Sequence, residues 1–179
     1  MNFKNSSKRY GFVSRALHWI AALSMLVLIP LGWYFTQLSN ESVQYWRLLE
    51  VHETLGFLVF SAFCINLLWG VANKKPPLPI SIVMWERVLA SVVHGIFKLT
   101  MCVLPLTGYV YVASEGDPIE LYDLIVLPEL PEISKSVSDL LFDIHFYGAY
   151  FCAGLIGLHL LAVLKHQFID KIPILKRML

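Results

Sequence analysis

Four stretches of this chain are each long and apolar enough to cross a lipid bilayer, and that feature constrains its fold more than any other. They run from about Ala16 to Phe35, Thr54 to Ala72, Val88 to Ala113 and Leu140 to Leu164. A hydrocarbon core takes about 20 apolar residues in a helix. Inside lipid no water satisfies open backbone groups, so all four must be helices. The expected fold is therefore all-α, a single integral membrane four-helix bundle over residues 1–179. Pro30 and Pro105 fall inside spans one and three, where neighbouring groups must satisfy the freed carbonyls. Breakers mark two loops, Asn73 to Pro79 and Gly116 to Pro131. The first span carries a histidine and no small-x-small site follows it, so it reads as a retained span rather than a cleaved signal.

Composition agrees with lipid as the solvent. The chain is 57% hydrophobic and 15% charged, against about 45–50% and 25% for soluble domains. A net charge of +1 by itself says nothing about nucleic acid, and no nucleic-acid partner is expected. Cys64, Cys102 and Cys152 lie within apolar runs without CxxC spacing and read as small packing residues. Trp19, Trp33, Trp46, Trp69 and Trp85 lie near the ends of apolar runs, where aromatic belts form.

Charge distribution sets the orientation. Eleven of the fourteen Lys and Arg residues flank one side of the spans: Lys4, Lys8, Arg9, Arg15, Lys74, Lys75, Arg87, Lys165, Lys171, Lys176 and Arg177. Arg47 and Lys135 lie on the other side and Lys98 within span three. The positive-inside rule puts both termini in the cytoplasm. Acids sort oppositely, with only Glu86 and Asp170 on the basic side. Eleven acids against two bases leave the outer face at −9, a surface that matters for any outer partner.

All six histidines, His18, His52, His94, His145, His159 and His166, lie in or beside a span. Ionisable groups at such depth are costly and mark function. His145 and His159 share span four, fourteen residues apart, hence about 21 Å along the axis and about 40° around it. One helix so presents two imidazoles on one face, one toward each membrane surface. A six-coordinate haem iron needs a second axial ligand, here from another helix. His52, at the outer start of span two, lies at the level of His145. At the inner level His18 can meet His159, and His94 is a rival. Gly56, Gly148, Gly154 and Gly157 stand where a flat macrocycle needs room. Zinc or copper would gather three or four ligands at one depth. These histidines fall instead into an outer pair and an inner group. A haem-free bundle that translocates protons or a solute, with histidines relaying protons, is the competing class, and it predicts no chromophore.

The motifs SRALHW (Ser14 to Trp19), HETLGF (His52 to Phe57) and VHGIFKLTMCVLPLTG (Val93 to Gly108), with the pattern His145, His159, His166, run through nearly the whole chain. In their order, spacing and topology the chain resembles the bacterial cytochrome b561 family, four-helix dihaem cytochromes of the inner membrane linked to quinone. The resemblance implies two b-type haems, with His18 and His159 on the inner iron and His52 and His145 on the outer. It leaves His94 without an iron. It also implies a ubiquinone or menaquinone site near the inner haem, with His166 and Lys165 as candidate contacts. Arg15, Arg87 and Lys98 are then candidate partners of the inner propionates. The outer partner expected is a basic periplasmic redox protein, with superoxide oxidation feeding ubiquinone as the alternative that a family member performs.

Overall fold

The computed structural model describes residues 2–116, 119–122 and 124–179. Asp117 and Asp123 of the outer acidic set lie outside these described residues. Four long helices form the molecule: α1 (Phe12–Phe35), α2 (Val43–Ala72), α3 (Met84–Ala113) and α4 (Lys135–Leu164). All four are long and apolar enough to span a membrane, and the chain is a multi-pass membrane protein. Their most hydropathic windows are only 6–22% buried within the protein. Leu68 is 74% exposed, Val71 88% and Leu161 65%, an apolar surface that a water-soluble monomer does not carry.

The helices outrun the apolar stretches that announce them. α2 begins at Val43, so His52 sits more than two turns inside it rather than at its start. The reason is geometric. A 30-residue helix is about 45 Å long against a hydrocarbon core of about 30 Å. Its polar ends keep their backbone bonds in the headgroup region. At α2 the extension is capped, because the Ser42 hydroxyl accepts from the Tyr45 N–H at 3.1 Å.

Packing is pairwise, α1 against α2 and α3 against α4, with the two hairpins joined through α2 and α3. At the α3–α4 contact Cys152 is fully buried, its Sγ 3.9 Å from the Thr100 hydroxyl.

The two ends differ in kind. At the basic end the N-terminal segment, the α2–α3 loop and the C-terminal segment interlace. Asn5 N–H donates to Asn73 Oδ1 at 3.1 Å, Trp19 Nε1 to the Met178 carbonyl at 2.9 Å, and Arg177 Nη2 to the Pro77 carbonyl at 2.7 Å. Burial here raises the Tyr10 hydroxyl above its usual pKa, opposed by the Arg177 charge.

At the acidic end the α3–α4 connection departs from the plain loop expected of it. It holds a short ribbon, β1 (Glu120–Leu121) paired antiparallel with β2 (Ile125–Val126) in the register Glu120↔Val126. Buried Ile119 and Leu121 press it onto the bundle. The Tyr109 hydroxyl ties it back by donating to the Pro128 carbonyl at 2.7 Å.

Candidate functional site

Between the two hairpins, toward the acidic end, lies a cavity of ≈ 1020 Å³, at the top of the range of about 300–1,000 Å³ for ligand and cofactor sites. All four helices line it, and His52 from α2 faces His145 from α4. Their ring centroids are 5.9 Å apart with planes at 63°. The structure thus brings His145 beside His52, the histidine expected at the same depth.

Each ring is seated by a glycine of another helix. A Cβ at Gly108 of α3 would come within 2.9 Å of Cε1 and Nδ1 of His145, and one at Gly32 of α1 within 3.0 Å of Cε1 of His52. Both glycines follow a proline closely, in Pro30-Leu31-Gly32 and Pro105-Leu106-Thr107-Gly108. That repeated punctuation inside apolar helices is the signal by which the sequence could have revealed them. The glycines singled out for room behave differently. A Cβ at Gly56, Gly154 or Gly157 would meet nothing within 4 Å, whereas the space beside Gly148 is taken by Leu104, 2.6 Å from such a Cβ. Gly148 therefore closes α4 onto α3.

Second contacts orient the imidazoles. Nδ1 of His145 lies 2.8 Å from the Leu104 carbonyl, so Nδ1–H donates and Nε2 keeps its lone pair. The same carbonyl accepts from the Thr107 hydroxyl at 3.0 Å. A carbonyl behind Nδ1 is the usual support of a metal-bound histidine. Nδ1 of His52 is buried without a hydrogen-bond partner. Phe35 packs edge-on against that ring at 5.3 Å. Two opposed imidazoles, one orphaned nitrogen and glycine seats fit a bis-histidine macrocycle.

Nearer the basic end, three histidines converge. His94 and His159 stand edge-to-face, centroids 5.3 Å apart, and Phe97 flanks His159 at 5.7 Å. His18 packs on Trp19 and interacts electrostatically with both His94 and His159. Nδ1 of His94 lies 2.5 Å from the Ala90 carbonyl, so Nδ1–H donates there and Nε2 keeps its lone pair.

The basic candidates are spread. Arg15 donates to the Leu179 carbonyl, while its Nε is buried and unpartnered. Arg87 donates to the Ile82 carbonyl at 2.7 Å and the Pro79 carbonyl at 3.1 Å, bracing the α2–α3 loop. Lys98 lies beside Lys75. Burial, and then that neighbouring ammonium, hold Lys75 below the usual lysine range. Lys165 and His166 come together with two residues not singled out beforehand. Lys165 Nζ reaches Glu86 at 2.5 Å and Asp170 at 2.8 Å, and His166 Nδ1 reaches Asp170 at 2.7 Å. Glu86 and Asp170 are the two acids on the basic side, which is the signal that could have marked them.

The mouth of this cavity is acidic. Glu50, Glu53, Glu115 and Glu120 line it, and among the described lining residues there is no lysine or arginine.

Known proteins resemble this chain over nearly its whole length. Residues 9–179 match the family model described as prokaryotic cytochrome b561. Cytochrome b561 homolog 2 of Escherichia coli (strain K12) is 32% identical, the match covering 100% of this chain and 95% of that protein. Cytochrome b561 homolog 1 of the same organism is 28% identical over 96% of this chain and 97% of its own length. The probable superoxide oxidase CybB of Yersinia pestis is 25% identical, with 96% of each chain covered.

Proposed function

The chain belongs to the prokaryotic cytochrome b561 family, and from that premise we propose that it is a dihaem b-type cytochrome of the bacterial inner membrane, carrying electrons from the quinone pool to a basic periplasmic redox protein. The observation that carries the reading is the facing of His52 and His145 across the large cavity. When bound, a bis-histidine haem supplies a one-electron carrier that needs no change of ligands. The protein's part is to hold the rings, set the local polarity and exclude side reactions.

On this reading residues 1–179 work as one unit. His52 and His145 hold the outer iron and His18 and His159 the inner one. The two levels are separated by about 21 Å. Orientation follows the positive-inside rule, with both termini in the cytoplasm. Arg15 is the base best placed to serve an inner propionate, since its buried Nε lacks a partner. Ubiquinone or menaquinone approaches at the basic end, beside His166 and Lys165. The acidic mouth supports a basic partner outside, because complementary charge speeds encounter.

A second reading has its own support. The match to a probable superoxide oxidase favours superoxide as the outer electron donor and ubiquinone as the acceptor. Arg47, five residues before His52, is then the base to draw the anion in.

A reduced-minus-oxidised spectrum of the purified protein, with haem counted per chain, tests the core of the proposal. Two b-type haems are expected. A colourless preparation from haem-sufficient cells would sink it in favour of the proton-relaying bundle. The inner ligands separate in the same assay. His18→Ala is expected to lose one haem and His94→Ala to keep both, with a shifted potential from the ring contact to His159. The reverse result would make His94 the axial ligand.

A further inference from the structure

Beyond His159 the fourth helix changes character. Lys165–Ile169 form a π-helical turn, in which Asp170 N–H bonds the Lys165 carbonyl at 3.0 Å. Lys171 then takes a left-handed conformation (φ 57°), and Ile172 N–H returns to the His166 carbonyl at 2.8 Å. Single π turns are rare and concentrate at functional sites. This one gathers four charged or titratable side chains where the helix leaves the membrane.

The arrangement is more specific than a snorkelling anchor requires. Lys165 is tied to α3 through Glu86, whose side chain is only 10% exposed. The His166 side chain is 12% exposed, and its Nδ1 is taken by Asp170. The titratable groups facing His166 are Asp170 and Lys165 from its own helix end and Glu86 from α3. The Lys165 ammonium first, and then the His166 ring, hold the Asp170 carboxyl below the usual carboxylate range. An ionised carboxylate at Nδ1 fixes the proton there and leaves Nε2 as the free base. His166 is seven residues past His159, about two helical turns further toward the basic end.

We infer that Asp170 is a positioning residue for proton exchange with quinol, holding His166 so that its Nε2 takes the proton of a quinol hydroxyl. This rests on the quinone reading above and adds to it the residue that makes His166 a base. As the O–H bond of the quinol breaks, an N–H bond forms at Nε2. The electron released would pass to the inner haem, which when bound supplies a one-electron acceptor. Asp170 balances the imidazolium, which passes its proton to cytoplasmic water. Two such steps would convert quinol to quinone, releasing two protons through His166 and two electrons to the haem. Lys165, held by Glu86, keeps Asp170 ionised and in place.

The test uses the haem-loaded protein in detergent, with decylubiquinol as the reductant in rapid mixing and dithionite as a reductant indifferent to the quinol site. Asp170→Ala is expected to slow quinol-driven haem reduction by about 10–100-fold, the size of loss seen when a metal-ligating histidine loses its supporting partner. The haem spectrum and the dithionite rate should stay unchanged. Asp170→Glu should recover most of the rate. The side-chain ¹⁵N resonances of His166, assigned with His166→Gln, should report the Nδ1–H tautomer in the parent and Nε2–H in Asp170→Ala. If His166→Gln is slow but Asp170→Ala changes neither rate nor tautomer, the inference about Asp170 fails and the quinone reading survives. If His166→Gln leaves quinol kinetics unchanged, the quinone site assigned to this end fails first. Loss of haem in both Asp170→Ala and the isosteric Asp170→Asn would make Asp170 a structural anchor and overturn its role in proton exchange.

Discussion

His145→Ala is expected to purify with one haem per chain instead of two, the inner haem remaining with its spectrum unaltered. The cavity at the acidic end has His52 and His145 opposed across it, so removing either ring leaves an iron there with one protein ligand. The same outcome should follow without touching a histidine. At Gly108 an added Cβ already lies 2.9 Å from two atoms of the His145 ring, closer than side chains approach, and Gly108→Val adds two methyls to it. The ring must swing, losing its bond to the Leu104 carbonyl, and Nε2 leaves the line to its partner. Overpacking of a tight site costs typically about 1–3 kcal/mol, so the four-helix fold should survive while the outer haem is lost. Pyridine haemochrome counts and low-temperature spectra of the two variants measure this directly. Two haems retained in His145→Ala would overturn the outer pairing. Two haems retained in Gly108→Val alone would show that the seat is looser than its contacts indicate.

The second large effect concerns charge at the outer mouth. Glu50 and Glu120 line the cavity from α2 and from β1 of the ribbon above it, on a face that totals −9. Glu50→Lys with Glu120→Lys moves that face by four charges. Electrostatic steering changes association rates by about 10–10³. Electron transfer to a basic soluble c-type cytochrome should therefore slow about tenfold or more at low salt. Superoxide-driven haem reduction should speed up in the same variant, because an anion then meets a less repulsive entrance. Raising the ionic strength to 1 M, where the screening length is about 3 Å, should erase most of both differences. Since the two partners carry opposite charge, no single change in folding or haem content mimics this pattern. Superoxide reacting near the diffusion limit with the unmodified protein, through a mouth lined by four glutamates, would favour the superoxide reading over the one proposed.

How far the sequence reaches is visible residue by residue. Four apolar runs dictate four helices because lipid leaves the backbone no other solution, and the helices are where those runs lie. The fourteen-residue interval between His145 and His159 fixes their separation and shared face, because rise and rotation per residue are constants of one helix. Charge sorting likewise needs only the order of the residues. What the sequence could not decide is which neighbour each face meets. His18 and His94 stand at one depth, and helix packing alone brings the His94 ring against His159. Gly32 and Gly108 become seats for imidazoles only because α1 packs on α2 and α3 on α4. Gly148, equally plausible by position, is closed by Leu104. Glu86 and His166 are eighty positions apart in the chain and share one network only because α3 and the end of α4 converge. Periodicity within a helix is a local property, set by backbone hydrogen bonds. Rotation of one helix against another is set by the sum of side-chain contacts across the interface, and only the folded bundle performs that sum.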